Sequence, residues 1–498
     1  MSNLSELLPT GGGQNSVDFV ASGTIGNGVT VGLKTDGTVE AVAETSPSLD
    51  SFEGVFLSSN PLYISRTSSL SSVYVPTQDR TYFFWVSSGN MYYSSGTYNG
   101  TSWTFSSVSS AMFSALSNYS AHVFYDSSLD KAVIVYEVTG GYINRTATAR
   151  VLSFSGTTVS FGSAAEINYY GIQPNITGNN NGVFAAAYVY HPGNTFGVRQ
   201  VTISGTSIVL GGDETAMFAN GGYWGNTPVT YCDSIDRYVM EDITSSGTRH
   251  LTLFSIVGTT PTLVSGVNLS SSGNGSLPST LAWNSDAAKL YAFYANTSTY
   301  TTVAICSVTT SAISIDSNTV ISSTTIDSND GTIQSAYNSD VKQVFIGMTQ
   351  STTTAPVKYA VLSGTSPTFD VSATDMYSSS DGSGIVAPTS GNAGRFYIAF
   401  ARQSNPTSSF VFKSGYAATL TGTTNNLASF IGITAEAISD TATGPVNVYG
   451  GINEAQTGLT IGSDYYVQDD GSLSTATSTV KAGQAISATT INMMDLKL

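Results

Sequence analysis

Catalysis by side chains needs nucleophiles, bases or metal ligands at workable spacing, and this chain of 498 residues offers few. It has three histidines. His122 adjoins the apolar pair Val123-Phe124 and reads as a core imidazole, whereas His191 and His250 border turns and read as solvent-facing. No His-Glu-X-X-His, Cys-X-X-Cys or Gly-X-Ser-X-Gly pattern occurs, so zinc chemistry and triad hydrolysis lose their usual warrants. A catalytic serine would need one of those three histidines beside it. The two cysteines, Cys232 and Cys306, sit in strand-like runs and read as buried free thiols. They are too few for a disulfide framework.

Glycosidic hydrolysis needs only two carboxylates, roughly 5 to 10 Å apart. The acidic residues here fall mostly in short polar turns, such as Asp130, Asp236 and Asp340. Such residues are expected to bond the turn backbone. Residues 96–103 echo the end of a sialidase Asp-box without its aspartate, and 327–331 echo a calcium loop without the closing glutamate. No catalytic residue, metal ligand or cofactor site is therefore expected. What remains is a binding surface. Tyr169, Tyr170, Tyr223, Trp224 and Tyr377 stand beside glycine, asparagine and serine in connecting segments. Flat apolar rings next to adaptable hydrogen-bonding groups suit sugars or another protein. The competing role for Tyr169 and Trp224 is to cap the core between repeats.

A strand-turn-strand unit recurs along the chain and supplies the elements that carry these segments. Tyr74, Tyr125, Thr177, Tyr231, Trp283, Tyr337 and Pro388 mark the same place in successive units, with steps of 51, 52, 54, 52, 54 and 51 by subtraction. A period in this range marks blades or solenoid repeats. Each marker is followed by a polar turn and then an apolar run such as Tyr82-Phe83-Phe84-Trp85 or Leu290-Tyr291-Ala292-Phe293-Tyr294, the signature of a buried strand. A second hairpin with a Ser-Gly-Thr turn follows at Ser155-Gly156-Thr157, Ser204-Gly205-Thr206 and Ser363-Gly364-Thr365. Two hairpins make four strands, the content of one propeller blade. The expected fold is all-β, a seven-bladed β-propeller over 47–425, with six blades and a flanking sheet as the alternative. The segment 52–64 is expected to pair with 410–420 and close the ring.

Composition agrees. Charged residues are 10%, aromatics 11%, with 49 glycines and a formal charge of −16. The lysines and arginines are scattered, so nucleic acid is not an expected partner. No run of about 20 apolar residues suggests a membrane span. The opening residues lack a basic region followed by an apolar core, so no secretory signal is expected.

Residues 1–46 and 426–498 lie outside the repeat. Both contain a hairpin of similar spelling, 28–39 and 462–473, each with Asp-Gly at its turn. A piece under fifty residues can hardly sustain its own core, so the two ends are expected to meet in one composite β base carrying the propeller. The motifs at 430–440, 450–460 (including Gly450, Gly451, Asn453, Glu454 and Gln456), 465–467, 470–474 and 482–489 resemble a C-terminal module of virion proteins of tailed bacteriophages, especially marine and cyanobacterial ones. Residues 5–13 and 20–24 are similar to the front half of the same proteins. The likeness covers about 120 residues, mostly turn glycines and strand positions. It implies a virion structural protein, a tail fibre or capsid appendage, assembled in the host cytoplasm. Its expected partners are other virion proteins, copies of itself through the base, and a host surface glycan. The alternatives are a propeller glycosidase acting on host polysaccharide and a secreted bacterial adhesin.

Overall fold

A computed structural model describes residues 15–493, apart from 46–47, 55–61, 64–69, 88, 115, 140–144, 191–192, 194, 219–226, 244–247, 270–277, 297–299, 326–332, 350–356, 363–368, 378–383, 404–410 and 422–423. The described residues form strands, turns and three 3-10 turns. Two compact units separate, residues 47–422 and the joined ends 1–46 with 423–498. The second boundary falls three residues earlier than the sequence suggests, because Thr424–Asn425 pairs with Glu44–Thr45.

Within 47–422 the described strands make seven antiparallel sheets. Their innermost strands are Leu70–Val75, Leu116–Asp126, Gly171–Gly178, Val229–Cys232, Ser279–Asn284, Ile333–Asn338 and Gly384–Ser390. Each neighbours the next, and the last neighbours the first, so the unit is a closed propeller. The ring is completed by the N-terminal side of the unit. Ser48–Gly54 and Leu62–Tyr63 both pair with Val411–Thr421, the third strand of the last sheet.

The second strand of each sheet carries an apolar run because both its faces are covered. Tyr82 to Val86, Val133 to Val135, Leu290 to Phe293 and Phe396 to Ala399 have no exposure beyond 2%. Clusters such as Val239, Leu251, Leu253, Trp283, Leu290, Ala292 and Ala304 join adjacent sheets into shared cores, with both cysteines inside this one. Neither face of a twisted four-stranded sheet can stay dry alone, and packing sheet on sheet around an axis covers both.

The turn between first and second strands holds one non-glycine residue in the left-handed region in every sheet: Asp79, Asp130, Asn180, Asp236, Ala288, Lys342 and Ala393. Asp and Asn tolerate that conformation through local side-chain bonds. Ala288, Lys342 and Ala393 depart from the Asp, Asn, Ser or Gly that the turn chemistry suggests. At the first two a preceding asparagine carries the turn: Asn284 Oδ1 accepts from the amides of Asp286 and Ala287, and Asn338 Oδ1 accepts from that of Asp340.

The terminal unit repeats one plan twice. Ser16–Val20, Thr30–Leu33, Val39–Ala41, Phe430–Thr434 and Thr443–Val448 form one sheet, and Ile452–Asn453, Asp464–Val467, Leu473–Ser474, Val480–Ala485 and Ile491–Met493 another. Counted first to fifth along the chain, both sheets are ordered first, fifth, fourth, second, third. The ladders match residue for residue. Val31 faces Gly432 and Tyr465 faces Gly483, and at the next step both skip a residue, so that Gly32 faces Phe430 and Tyr466 faces Lys481. Fourth and fifth strands pair Ile433 with Asn447 and Gln484 with Asn492. First and fifth pair Val17 with Val446 and Asn453 with Ile491. The turns agree too: Asp36 Oδ1 accepts from the Thr38 amide, Asp470 Oδ1 from that of Ser472, and Gly37 and Gly471 have φ of 85° and 81°. The propeller is thus an insertion between the third and fourth strands of the first of two like modules. Val42, Leu427 and Ile433 of the first share a core with Leu459, Tyr465, Val467, Ala485 and Ile491 of the second.

Candidate binding rim and axial cavity

The acidic turn residues do more than cap their own backbone. Asp79 and Asp130 accept from the hydroxyls of Tyr74 and Tyr125, at 2.7 and 2.6 Å, and Asp236 from Tyr231 at 2.9 Å. The same belt ties one sheet to the next. Asn392 Nδ2 donates to Asp79, Thr77 Oγ1 to Asp130, the Gly182 amide to Asp126, Trp283 Nε1 to Asp233, Tyr337 to Asp286 and the Gly394 amide to Asp340. Between the third and fourth sheets the link comes instead from Gln200 Nε2 to Gly258 O, and from the Gly212 amide to Thr259 O. Burial and the aspartate beside it push the Tyr125 phenol up to about 12. These carboxylates are engaged in holding sheets together.

At the axis the seven inner strands enclose a cavity of about 150 Å³, whose lining includes Ser71, His122, Asn175, Thr280, Gln334 and Ser335. None of its lining residues is acidic. Thr280 Oγ1 and Ser335 Oγ are 3.1 Å apart, and Ser72 Oγ donates to Ala387 O across the junction of last and first sheets. His122 is 9% exposed, as a core imidazole should be, and burial drives its pKa down to about 4. It faces this cavity neutral.

The buried carboxylates lie within sheets. Glu137 contacts Arg145 at 3.1 Å and accepts from the amide of Gln173 in the next sheet. In the fourth sheet the consecutive Glu241 and Asp242 point to opposite faces. Glu241 pairs with Arg249, while Asp242 accepts from Thr252 Oγ1 and lies 3.0 Å from His250 Nδ1. Burial raises both carboxyls, opposed by their basic partners. His250 therefore corrects the expectation of a solvent-facing ring: it is the second residue of Arg249–Val257, opposite Asp242 in the ladder, and its side chain is only 14% exposed. His191 lies outside the described residues, as does the segment 327–331. The Asp-box echo is core packing, since Trp103 is 7% exposed and donates from Nε1 to Thr419 Oγ1. Among the described residues no cluster of three or more His, Cys, Asp or Glu could hold a metal.

Of the rim aromatics, Tyr169 and Tyr170 occupy the turn between Ala165–Asn168 and Gly171–Gly178. This turn lies at the opposite end of the inner strand from the aspartate belt. Their rings are perpendicular at 4.8 Å, and Tyr170 packs edge-on against Tyr190 at 5.9 Å. Tyr169 is 47% exposed, while Tyr170 is half-buried. Asn168 Oδ1 accepts from the Tyr170 amide and Thr146 Oγ1 donates to Tyr169 O, fixing the turn. Tyr170 thus supports and Tyr169 presents. Tyr223 and Trp224 lie outside the described residues. Tyr377 ends the strand Phe369–Tyr377, opposite Val357, and its side chain is outside the described residues.

No protein-family model and no curated protein sequence matches the chain. Solved structures are similar in fold. The BP39L lectin from Burkholderia pseudomallei is 10% identical over 70% of this chain and 99% of its own, with a TM-score of 0.49. A variant of the NanB sialidase from Streptococcus pneumoniae is 13% identical over 74% and 70%, with a TM-score of 0.43. A putative 6-phosphogluconolactonase from Bacteroides fragilis is 11% identical over 70% and 95%, with a TM-score of 0.44. Likeness this distant does not choose between binding and catalysis.

Proposed function

We propose that the protein is a non-catalytic binding protein of a virus particle. Its propeller, read as seven blades, presents an aromatic rim to a surface glycan, and its base joins other virion proteins and copies of itself. The virion role rests on the resemblance of the terminal modules to phage structural proteins. The glycan role rests on one observation above the others, the half-exposed Tyr169 ring packed on Tyr170, itself backed by Tyr190, within a fixed polar turn. A sugar ring stacks on such a face while its hydroxyls reach the neighbouring polar groups. The alternative, hydrolysis of host polysaccharide, has no acidic pair among the residues lining the axial cavity to rest on.

The experiment is binding of the full chain to host-surface polysaccharide. Tyr169→Ala should weaken binding roughly tenfold, the cost of losing one aromatic anchor, while Tyr169→Phe retains most of it. Equal affinity of Tyr169→Ala and the parent would discard the rim assignment.

A further inference from the structure

We infer that the connection at 475–479 is a second display position of the base, equivalent to the one that carries the propeller. This inference does not depend on what the propeller binds. It rests on the two modules sharing strand order, ladder register and bulge. In the first module the third-to-fourth strand connection contains the whole propeller unit. In the second the same connection joins Leu473–Ser474 to Val480–Ala485 in five residues.

The occupied position shows what an insert needs. Glu44–Thr45 and Thr424–Asn425 pair antiparallel where the chain leaves and rejoins the base. Asn426 pins them, its Nδ2 donating to Ala41 O at 3.0 Å and its Oδ1 accepting from the Ala43 amide at 2.9 Å. Paired strands stand about 4.8 Å apart, so the cargo is a compact domain with adjacent termini. Such domains insert at exposed turns with little entropic cost.

The second position is a short, exposed connection. Thr475, Ala476, Thr477 and Thr479 are exposed. The connection is anchored at its edges by Gln468 Nε2 donating to Ala476 O and by Ser478 Oγ donating to Val467 O. The preceding turn of this module, 468–472, is sealed: a Cβ on Gly471 would fall 2.0 Å from Val42 O, and Thr30 Oγ1 donates to Gly471 O at 2.6 Å. The connection at 475–479 can therefore open without touching the packing of the module, and the turn at 468–472 cannot.

The test inserts a small domain with adjacent termini, flanked by Gly-Ser linkers, between Ala476 and Thr477 of the full-length chain. Two unrelated inserts are used, one helical and one all-β, and each is also placed between Asp470 and Gly471. The unfolding midpoint of the base should shift by only a few degrees with at least one insert at 476/477, and the base transition should be lost at 470/471. Loss of the base transition with both inserts at 476/477, or equal tolerance at the two turns, would overturn the inference.

Discussion

At the scale of single residues, buried polar groups act through their pairings. His122 has a folded pKa of about 4 against an ordinary value near 6.5. Between those values the unfolded chain binds more protons, so stability falls as pH drops from about 6.5 towards 4 and stays level below. The loss amounts to about 3 kcal/mol at most. Glu241 and Asp242, raised by burial, act with the opposite sign, so the His122 effect is read as a difference. Between pH 7 and 4.5 the parent should lose more thermal stability than His122→Gln, and parallel pH curves would contradict it. Arg249 and Glu241 are both essentially unexposed. Arg249→Met should cost about 3–5 kcal/mol by stranding the carboxylate, and Glu241→Leu with Arg249→Met should recover most of that. Denaturant titration of the three chains measures both. In the base, Asn453 Nδ2 donates to Thr434 O and Asn447 Oδ1 and joins the two modules. Asn453→Ala should remove about 2 kcal/mol from the base transition. The sequence showed His122 correctly because its apolar neighbours are adjacent in the chain. It misplaced His250 because the partner, Asp242, lies eight residues away across a hairpin whose register no local pattern reveals.

At the scale of elements, the repeat made the propeller strands legible: their second strands are apolar runs because burial on both faces leaves no alternation to hide them. The left-handed turn residues were only partly legible. Asp79, Asp130 and Asp236 announce the turn themselves, whereas at Ala288 and Lys342 another side chain carries it. The duplicated base left half a signal. The hairpins at 28–39 and 462–473 are similar in spelling, but Phe430–Thr434 and Thr443–Val448, which complete the first copy, are separated from it by the whole inserted unit. Strands such as Thr30–Leu33 and Asp464–Val467 share little in sequence, Thr-Val-Gly-Leu against Asp-Tyr-Tyr-Val. The two copies supply an internal control. Gly37 and Gly471 share one backbone conformation, yet an added Cβ meets nothing within 4 Å at the first and Val42 O at the second. Gly37→Ala should cost about 1 kcal/mol, the conformational term alone. Gly471→Ala should cost at least about twice that, and equal losses in denaturant melts would show that the modules do not meet there.

At the scale of the molecule, a ring of sheets closed by the strand Ser48–Gly54 joins first and last repeats. It leaves the aspartate belt as a structural fastening at one end of the inner strands and Tyr169 at the other. The residues that line the axial cavity include His122 and no acidic side chain. The function itself was less legible, because a binding rim is made of ordinary tyrosines whose exposure depends on turns the sequence only outlines. The most direct measurement is titration of the intact protein with host-surface polysaccharide, followed by sizing of the recovered sugar chains. Saturable binding that Tyr169→Ala weakens, with chain lengths unchanged, is the predicted result. Shortened chains, or no binding at all, would contradict a non-catalytic glycan-binding propeller.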